Sequence, residues 1–186
     1  MLVFACAGMD RACKALVEDG FPELAKMDDS VEEYLAGFAK RMISSAESVN
    51  ATVVARLLLD PYSPREAVLR ALVADLTGDS LQSVQQLFRL CTALRVPDQY
   101  VKDHKVALAQ AFRARNAIVH EMDIVPGSLD TEKGEVQRAQ RPHREYVEFA
   151  NATVGVAVHL ISGLSTVIEI RLRSHPFQRV IDGGSP

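Results

Sequence analysis

The stretch Arg113-Ala114-Arg115-Asn116-Ala117-Ile118-Val119-His120-Glu121 sets two guanidiniums, a carboxamide, an imidazole and a carboxylate close together in an otherwise apolar, helix-patterned segment. Arginine is a permanently charged planar fork that matches phosphate oxygens, and histidine exchanges protons near neutral pH. At helical spacing Leu108, Phe112, Val119 and Met122 share one stripe, and Arg115 falls near its centre. A guanidinium there must pair with a carboxylate, line a cleft or reach out to water, because an unpaired buried charge costs several kcal/mol. Asn116 and His120 are four apart and therefore neighbours, with Arg113 beside them. Arg115 and His120 are five apart, which on a straight helix separates them by roughly 140°. They act together only across a groove edge, on a bent helix, or with the second half of a site supplied by another chain. The plain alternative is a solvated face of Arg113, Asn116 and His120, with Arg115 paired to a buried carboxylate.

The elements that must carry this stretch are helical. A first helix is expected from about Leu2 to Val17, with Phe4, Cys6, Met9, Cys13 and Leu16 at helical spacing, broken by Gly20 and Pro22. Ser30-Val31-Glu32-Glu33 reads as a capping box starting a second helix that runs to about Ser48. A third segment from Asn50 to Leu59 stops at Asp60-Pro61. Ser63-Pro64-Arg65-Glu66 combines a serine cap, a first-turn proline and a glutamate at the third position, and its helix is expected to end near Thr77-Gly78. Asp79 or Ser80 is expected to cap the next helix, which carries Leu81, Val84, Leu87, Phe88, Cys91 and Leu94 before Val96-Pro97.

Asp98 to about Met122 reads as one helix that includes the charged stretch. Residues 123–141, with Pro126, Gly127, Gly134 and many charges, read as a long irregular loop. From Pro142 to about Arg173 a long helix keeps Val147, Ala150, Val154, Ala157, Ile161, Leu164, Ile168 and Leu172 on an apolar face. No strand with period-two alternation stands out. The expectation is an all-α, single up-and-down bundle of five to seven helices over residues 1–173, with 174–186 a flexible tail.

The 186 residues suffice for one domain with its own core, and the 48% apolar share with only 6% aromatics favours helices packed on small side chains. A net charge of −3 does not mark the whole molecule as a polyanion binder, so any nucleic-acid surface is local. Cys6, Cys13 and Cys91 form no C-x-x-C pair and read as small core residues in a reducing compartment. The apolar opening lacks a basic flank and is too short for a span or signal peptide, which points to the cytoplasm and away from a membrane. His104, His143, His159 and His175 lack metal-ligand spacing and read as surface or capping residues, so no metal is expected. Phosphate-loop, dinucleotide-binding and nucleophile-elbow motifs are absent.

Arg115-Asn116-Ala117-Ile118-Val119-His120 resembles the R-x(4–6)-H signature of the HEPN superfamily, in the version with a polar residue straight after the arginine. In that family the signature lies in a helical bundle ahead of a final long helix, the order read above. The resemblance implies a metal-independent endoribonuclease without cofactor, often a toxin or antiviral effector, working as a homodimer with two motifs facing across one cleft. It implies Arg115 and His120 as the catalytic pair and RNA as the substrate.

Cleavage by the RNA's own 2′-hydroxyl needs a base, an acid for the leaving 5′-oxygen and positive charge near the phosphorane, which two His120 side chains and Arg115 can divide between them. Asn116 can orient substrate or imidazole, and Glu121 can tune the histidine. Arg113, with Arg138, Arg141, His143 and Arg144 around the end of the irregular loop, is the candidate set for RNA backbone contacts. The competing expectations are a non-catalytic helical module that binds an antitoxin or a defence-system partner, and a small-ligand-binding helical regulator.

Overall fold

Leu2, Cys6, Met9, Cys13, Val17, Phe21 and Leu24 recur every three or four residues and every one is buried, which makes the first helix the spine of the core. The computed structural model describes residues 1–44, 51–120, 124–129, 136–138 and 142–174. They form an all-α bundle: α1 (Leu2–Met27), α2 (Ser30–Ser44), α3 (Ala51–Leu58), α4 (Pro64–Thr77), α5 (Val84–Ala93), α6 (Gln99–Asp103), α7 (Lys105–His120) and the long closing helix α8 (His143–Ser174). Two short strands, β1 (Ile124–Leu129) and β2 (Val136–Arg138), lie between α7 and α8.

The core is built where α1, α7 and α8 meet. Phe149, Ala152, Val156, Leu160 and Leu164 of α8 face α1, and Leu108, Ala111 and Phe112 of α7 join them. Each such large side chain contributes about 1.5–3 kcal/mol on burial. Gly20 is the point of close approach, since a Cβ there would meet Leu164 Cδ2 at 2.4 Å. Cys6 bonds with Thr153 near the start of α8 and Gly20 touches Leu164 further along, so α1 and α8 run in the same direction. Tyr100 lies against Gly155 and Val96 against Gly163, so the segment leading into α7 runs opposite to α8.

Several boundaries differ from the sequence reading. The first helix does not break at Gly20 and Pro22 but continues to Met27, because Phe21, Leu24 and Ala25 extend the buried stripe and outweigh one missing donor. Ser30 is the first residue of α2 and not the head of a capping box with Glu33. Asp28 caps that turn instead, accepting from Ser30 N at 3.0 Å and from Ser30 Oγ at 2.5 Å. Neither Asp79 nor Ser80 caps α5; Ser83 does, in a capping box with Gln86. The expected helix from Asp98 to Met122 is split at His104 into α6 and α7.

The expected irregular loop holds the antiparallel β1–β2 pair, with Ile124 opposite Arg138, Leu129 opposite Val136 and a register shift between them. Pro126 and Gly127 sit inside β1, which is why no alternating pattern betrayed it. With α6 only five residues long, the helix count among the described residues is eight, above the expected five to seven.

Other readings hold. Ser63 and Glu66 form the capping box of α4 with Pro64 at its first position, and α4 ends at Thr77. All three cysteines are free and buried. Leu94 ends α5 in a Schellman arrangement, with Val96 N donating to Cys91 O at 3.0 Å and Arg95 at φ 58 in the left-handed position. The expected helix ends at Ser48 and Asn50, and the 174–186 tail beyond Ser174, lie outside the described residues.

The apolar face expected for α8 is divided. Ala150 and Leu164 are buried, whereas Val154, Ile161 and Leu172 face outward at 50%, 46% and 44% exposure, as does Val158, outside the expected face, at 57%. No Asp, Glu, Lys or Arg lies between Phe149 and Ile168, and by length and composition α8 is apolar enough to cross a membrane.

Candidate functional site

Arg115 sits one turn before the end of α7, between the buried Ala114 and the exposed Asn116, and is itself half-buried. Its Nη1 donates to Asn116 Oδ1 at 2.9 Å. Among the described residues Arg115 has no carboxylate partner; the ion pairs formed there use other arginines and lysines. Among the described residues, one of its five guanidinium donors is thus occupied, by a neutral amide. Val119, on the same side, is exposed, because the end of α7 runs past the core that covers Leu108 and Phe112.

The guanidinium is close enough to α1 for its charge to act on Cys6. Burial pushes the Cys6 thiol up, while the bond with Thr153 and the positive charge of Arg115 work against that rise. Arg115 therefore stands where α1, α7 and α8 converge, on the margin of the packed interior. A half-buried cation with no counter-ion among the described residues has the chemistry of an anion receptor.

Asn116 and Arg113 are exposed on α7. His120 is the last residue of α7, and its side chain lies outside the described residues, as do Glu121 and Arg141 and the side chain of Arg138, whose backbone belongs to β2. His143 and Arg144 open α8 and are exposed. Arg115 and Asn116 are thus brought together, while Arg144 lies in a separate groove.

That groove, about 460 Å3 and open to solvent, is lined by Tyr100, His104 and Ala107 on one side and by Arg144, Val147, Glu148, Asn151 and Ala152 of α8 on the other. Ala107 precedes Arg115 by about two turns, roughly 12 Å along α7 and about 80° around it, and neither Arg115 nor Asn116 lines the groove.

His104 and His159, read from sequence as isolated surface or capping residues, flank one ring. Tyr100 stacks on His104 with centroids 4.1 Å apart at 15° and on His159 at 5.4 Å and 19°. His104 Nδ1 lies 3.0 Å from Tyr100 O and His159 Nε2 lies 2.7 Å from Pro97 O, so each of those nitrogens carries the hydrogen it donates. The available signal was Gly155, four residues before His159: a Cβ there would fall 1.7 Å from Tyr100 Oη. The stack fastens α6 to α8 and fixes one wall of the groove.

No group of three or more metal-ligating side chains gathers among the described residues. No family model, curated protein or solved structure matches the chain.

Proposed function

We propose that the protein is a metal-independent endoribonuclease of HEPN type, acting in the cytoplasm as a homodimer, with Arg115 and His120 as its catalytic pair. The observation that carries this reading is Arg115: a half-buried guanidinium on a core-facing helix that, among the described residues, has no carboxylate partner and a hydrogen bond to Asn116 alone. An arginine kept for structure at such a position is expected to hold an internal ion pair. An arginine kept for phosphate is expected to leave its fork open.

In the proposed reaction the 2′-hydroxyl attacks the adjacent phosphorus. One His120 takes the 2′ proton and the partner's His120 returns a proton to the departing 5′-oxygen, so the O2′–P bond forms as the P–O5′ bond breaks. Arg115 balances charge on the non-bridging oxygens. The products are a 2′,3′-cyclic phosphate and a free 5′-hydroxyl. Asn116 orients the fork, Glu121 tunes the imidazole, and Arg113, Arg138, Arg141, His143 and Arg144 hold the RNA backbone. The reading invokes no metal or cofactor.

Single-turnover cleavage of a generic RNA in EDTA tests it. Wild type is expected to cut and His120→Ala to lose that activity; equal rates, or no cleavage by a folded wild type, would sink the proposal.

The second reading is a non-catalytic module that binds an antitoxin or a defence-system protein, and the exposed apolar stripe on α8 favours it. It expects no RNA cleavage, and loss of partner binding when the stripe is charged.

A further inference from the structure

Eight residues of α8, six of them exposed and Val147 and Ile168 half-buried, follow a seven-residue rhythm. Val147, Asn151, Val154, Val158, Ile161, Ser165, Ile168 and Leu172 are separated alternately by four and three positions. That is the spacing of a coiled-coil seam, with Asn151, Val158, Ser165 and Leu172 at the a positions and Val147, Val154, Ile161 and Ile168 at the d positions. The seam lies beside the core face of Phe149, Val156, Leu160 and Leu164; Ile168, half-buried, also packs against the core, and no seam residue is fully buried. Val154, Val158, Ile161 and Leu172 are each about half exposed, an apolar set left uncovered along one side of the helix.

We infer that the seam is covered by the same seam of a second copy, with the two α8 helices parallel. This deepens the nuclease reading, on whose homodimer it rests, by naming the surface that makes the dimer.

The polar residues in the seam decide the occupant and its direction. In a parallel pair each a position meets its own copy, so Asn151 meets the partner's Asn151 and Ser165 meets the partner's Ser165, amide to amide and hydroxyl to hydroxyl. In the antiparallel pair centred between Val158 and Ile161, Asn151 would face the partner's Ile168 and Ser165 the partner's Val154, leaving polar groups against hydrocarbon. Flanking charges agree. The parallel arrangement sets His143 beside the partner's Glu148, whereas the antiparallel one sets Glu148 beside the partner's Glu169 at both ends. One like-charge contact, Arg144 against the partner's Arg144, falls in the exposed first turn where both side chains reach water.

A lipid surface fits the seam less well. It is a narrow stripe, interrupted by Asn151 and Ser165 and flanked by Ser162, while the opposite face of the same helix is packed into protein.

The arrangement also serves the candidate site. Because α7 runs opposite to α8, its C-terminal end lies toward the start of α8, and parallel α8 helices bring both copies of Arg115 to the same end of the dimer. Val147 and Asn151 belong to both seam and groove, so the partner helix forms part of the groove's border.

The test is the mass of the full chain in solution by sedimentation equilibrium at micromolar concentration. Wild type is expected at twice the chain mass, and Val158→Glu and Ile161→Glu at the single-chain mass with unchanged helical circular dichroism. Asn151→Cys is expected to form a disulfide-linked dimer on mild oxidation, since the three native thiols are buried. An equal mixture of Asn151→Cys and Ile168→Cys chains is expected to give no mixed disulfide.

A monomeric wild type, a dimer indifferent to Val158→Glu, a 151–168 cross-link, or co-flotation of monomeric wild type with phosphatidylcholine vesicles would each overturn the inference. No arm uses RNA, so a chain that cuts RNA but fails here loses the seam and keeps the nuclease. A chain that passes here and cuts nothing does the reverse.

Discussion

Asp28, just past the end of α1, and Arg171, in the last turn of α8, are joined across 143 positions of sequence, with Nε and Nη2 of the arginine 3.1 and 3.0 Å from one carboxylate oxygen. The other oxygen accepts from Ser30. Burial alone would raise the carboxyl, yet the Ser30 hydrogen bonds and the Arg171 charge hold it below its usual 3.8. One residue thus caps α2 and anchors the last turn of α8.

Replacing Asp28 by Asn is expected to lower stability by about 1–3 kcal/mol in urea unfolding, since a buried acceptor shared by two donors is lost. Arg171 keeps 39% of its side chain exposed, which screens the pair and argues for the lower half of that range. The sign with pH follows from the depressed folded value. Stabilisation from Asp28 is complete above 3.8 and is lost as pH falls through the lower folded value. Thermal melts of wild type are expected to drop in that acidic window more steeply than those of Asp28→Asn; parallel curves would contradict the assignment.

Two glycines in long helices are expected to respond oppositely to alanine. Nothing lies within 4 Å of a Cβ at Gly8, so Gly8→Ala is expected to stabilise by about 0.5–1 kcal/mol through helix propensity. At Gly155 the added methyl would collide with Tyr100, and displacing that ring is expected to cost about 1–3 kcal/mol. Tyrosine fluorescence follows the second change directly, because the chain has no tryptophan. An unperturbed tyrosine signal in Gly155→Ala would refute the packing described for the stack.

The local parts of the fold were legible in sequence and the non-local parts were not. Ser63-Pro64-Arg65-Glu66 specifies its own helix start within four residues, and the structure keeps it. Gly20 and Pro22 carry an equally local signal to stop, but Phe21 and Leu24 gain more by remaining in the core than the turn loses. Helix α8 has two apolar stripes, and its sequence cannot say which one meets α1. The wall formed by His104, Tyr100 and His159 depends on a contact across 59 positions from Tyr100 to His159, a separation that no motif spans. The charged stretch itself was readable because an arginine among core positions is costly wherever it folds.

Arg115→Lys separates charge from shape at the candidate site. Lysine keeps the positive charge and gives up the planar fork, so under the proposed nuclease mechanism RNA cleavage is expected to fall about 100-fold with little change in stability. Full activity in Arg115→Lys would show that only charge is needed there. A large loss of stability would show instead that the residue is structural.

The thiols are expected to be silent in the native protein. Burial is the main cause that pushes Cys13 up to about 12 and Cys91 to about 11, and it raises Cys6 as well. Titration with a disulfide reagent at pH 8 is expected to find no reactive thiol until denaturant is added, then three equivalents. Rapid reaction of the folded chain would mean that the junction of α1 and α8 opens.

That junction has a consequence for biosynthesis. More than a hundred residues separate the end of α1 at Met27 from the start of α8 at His143, which at ribosomal speed is a delay of roughly 6–25 s. Throughout it the apolar flank of α1 emerges without the helix that shields it. Nascent chains of this protein are therefore natural clients for chaperones that bind exposed hydrocarbon, and stop codons placed before α8 should yield material that is degraded or aggregates.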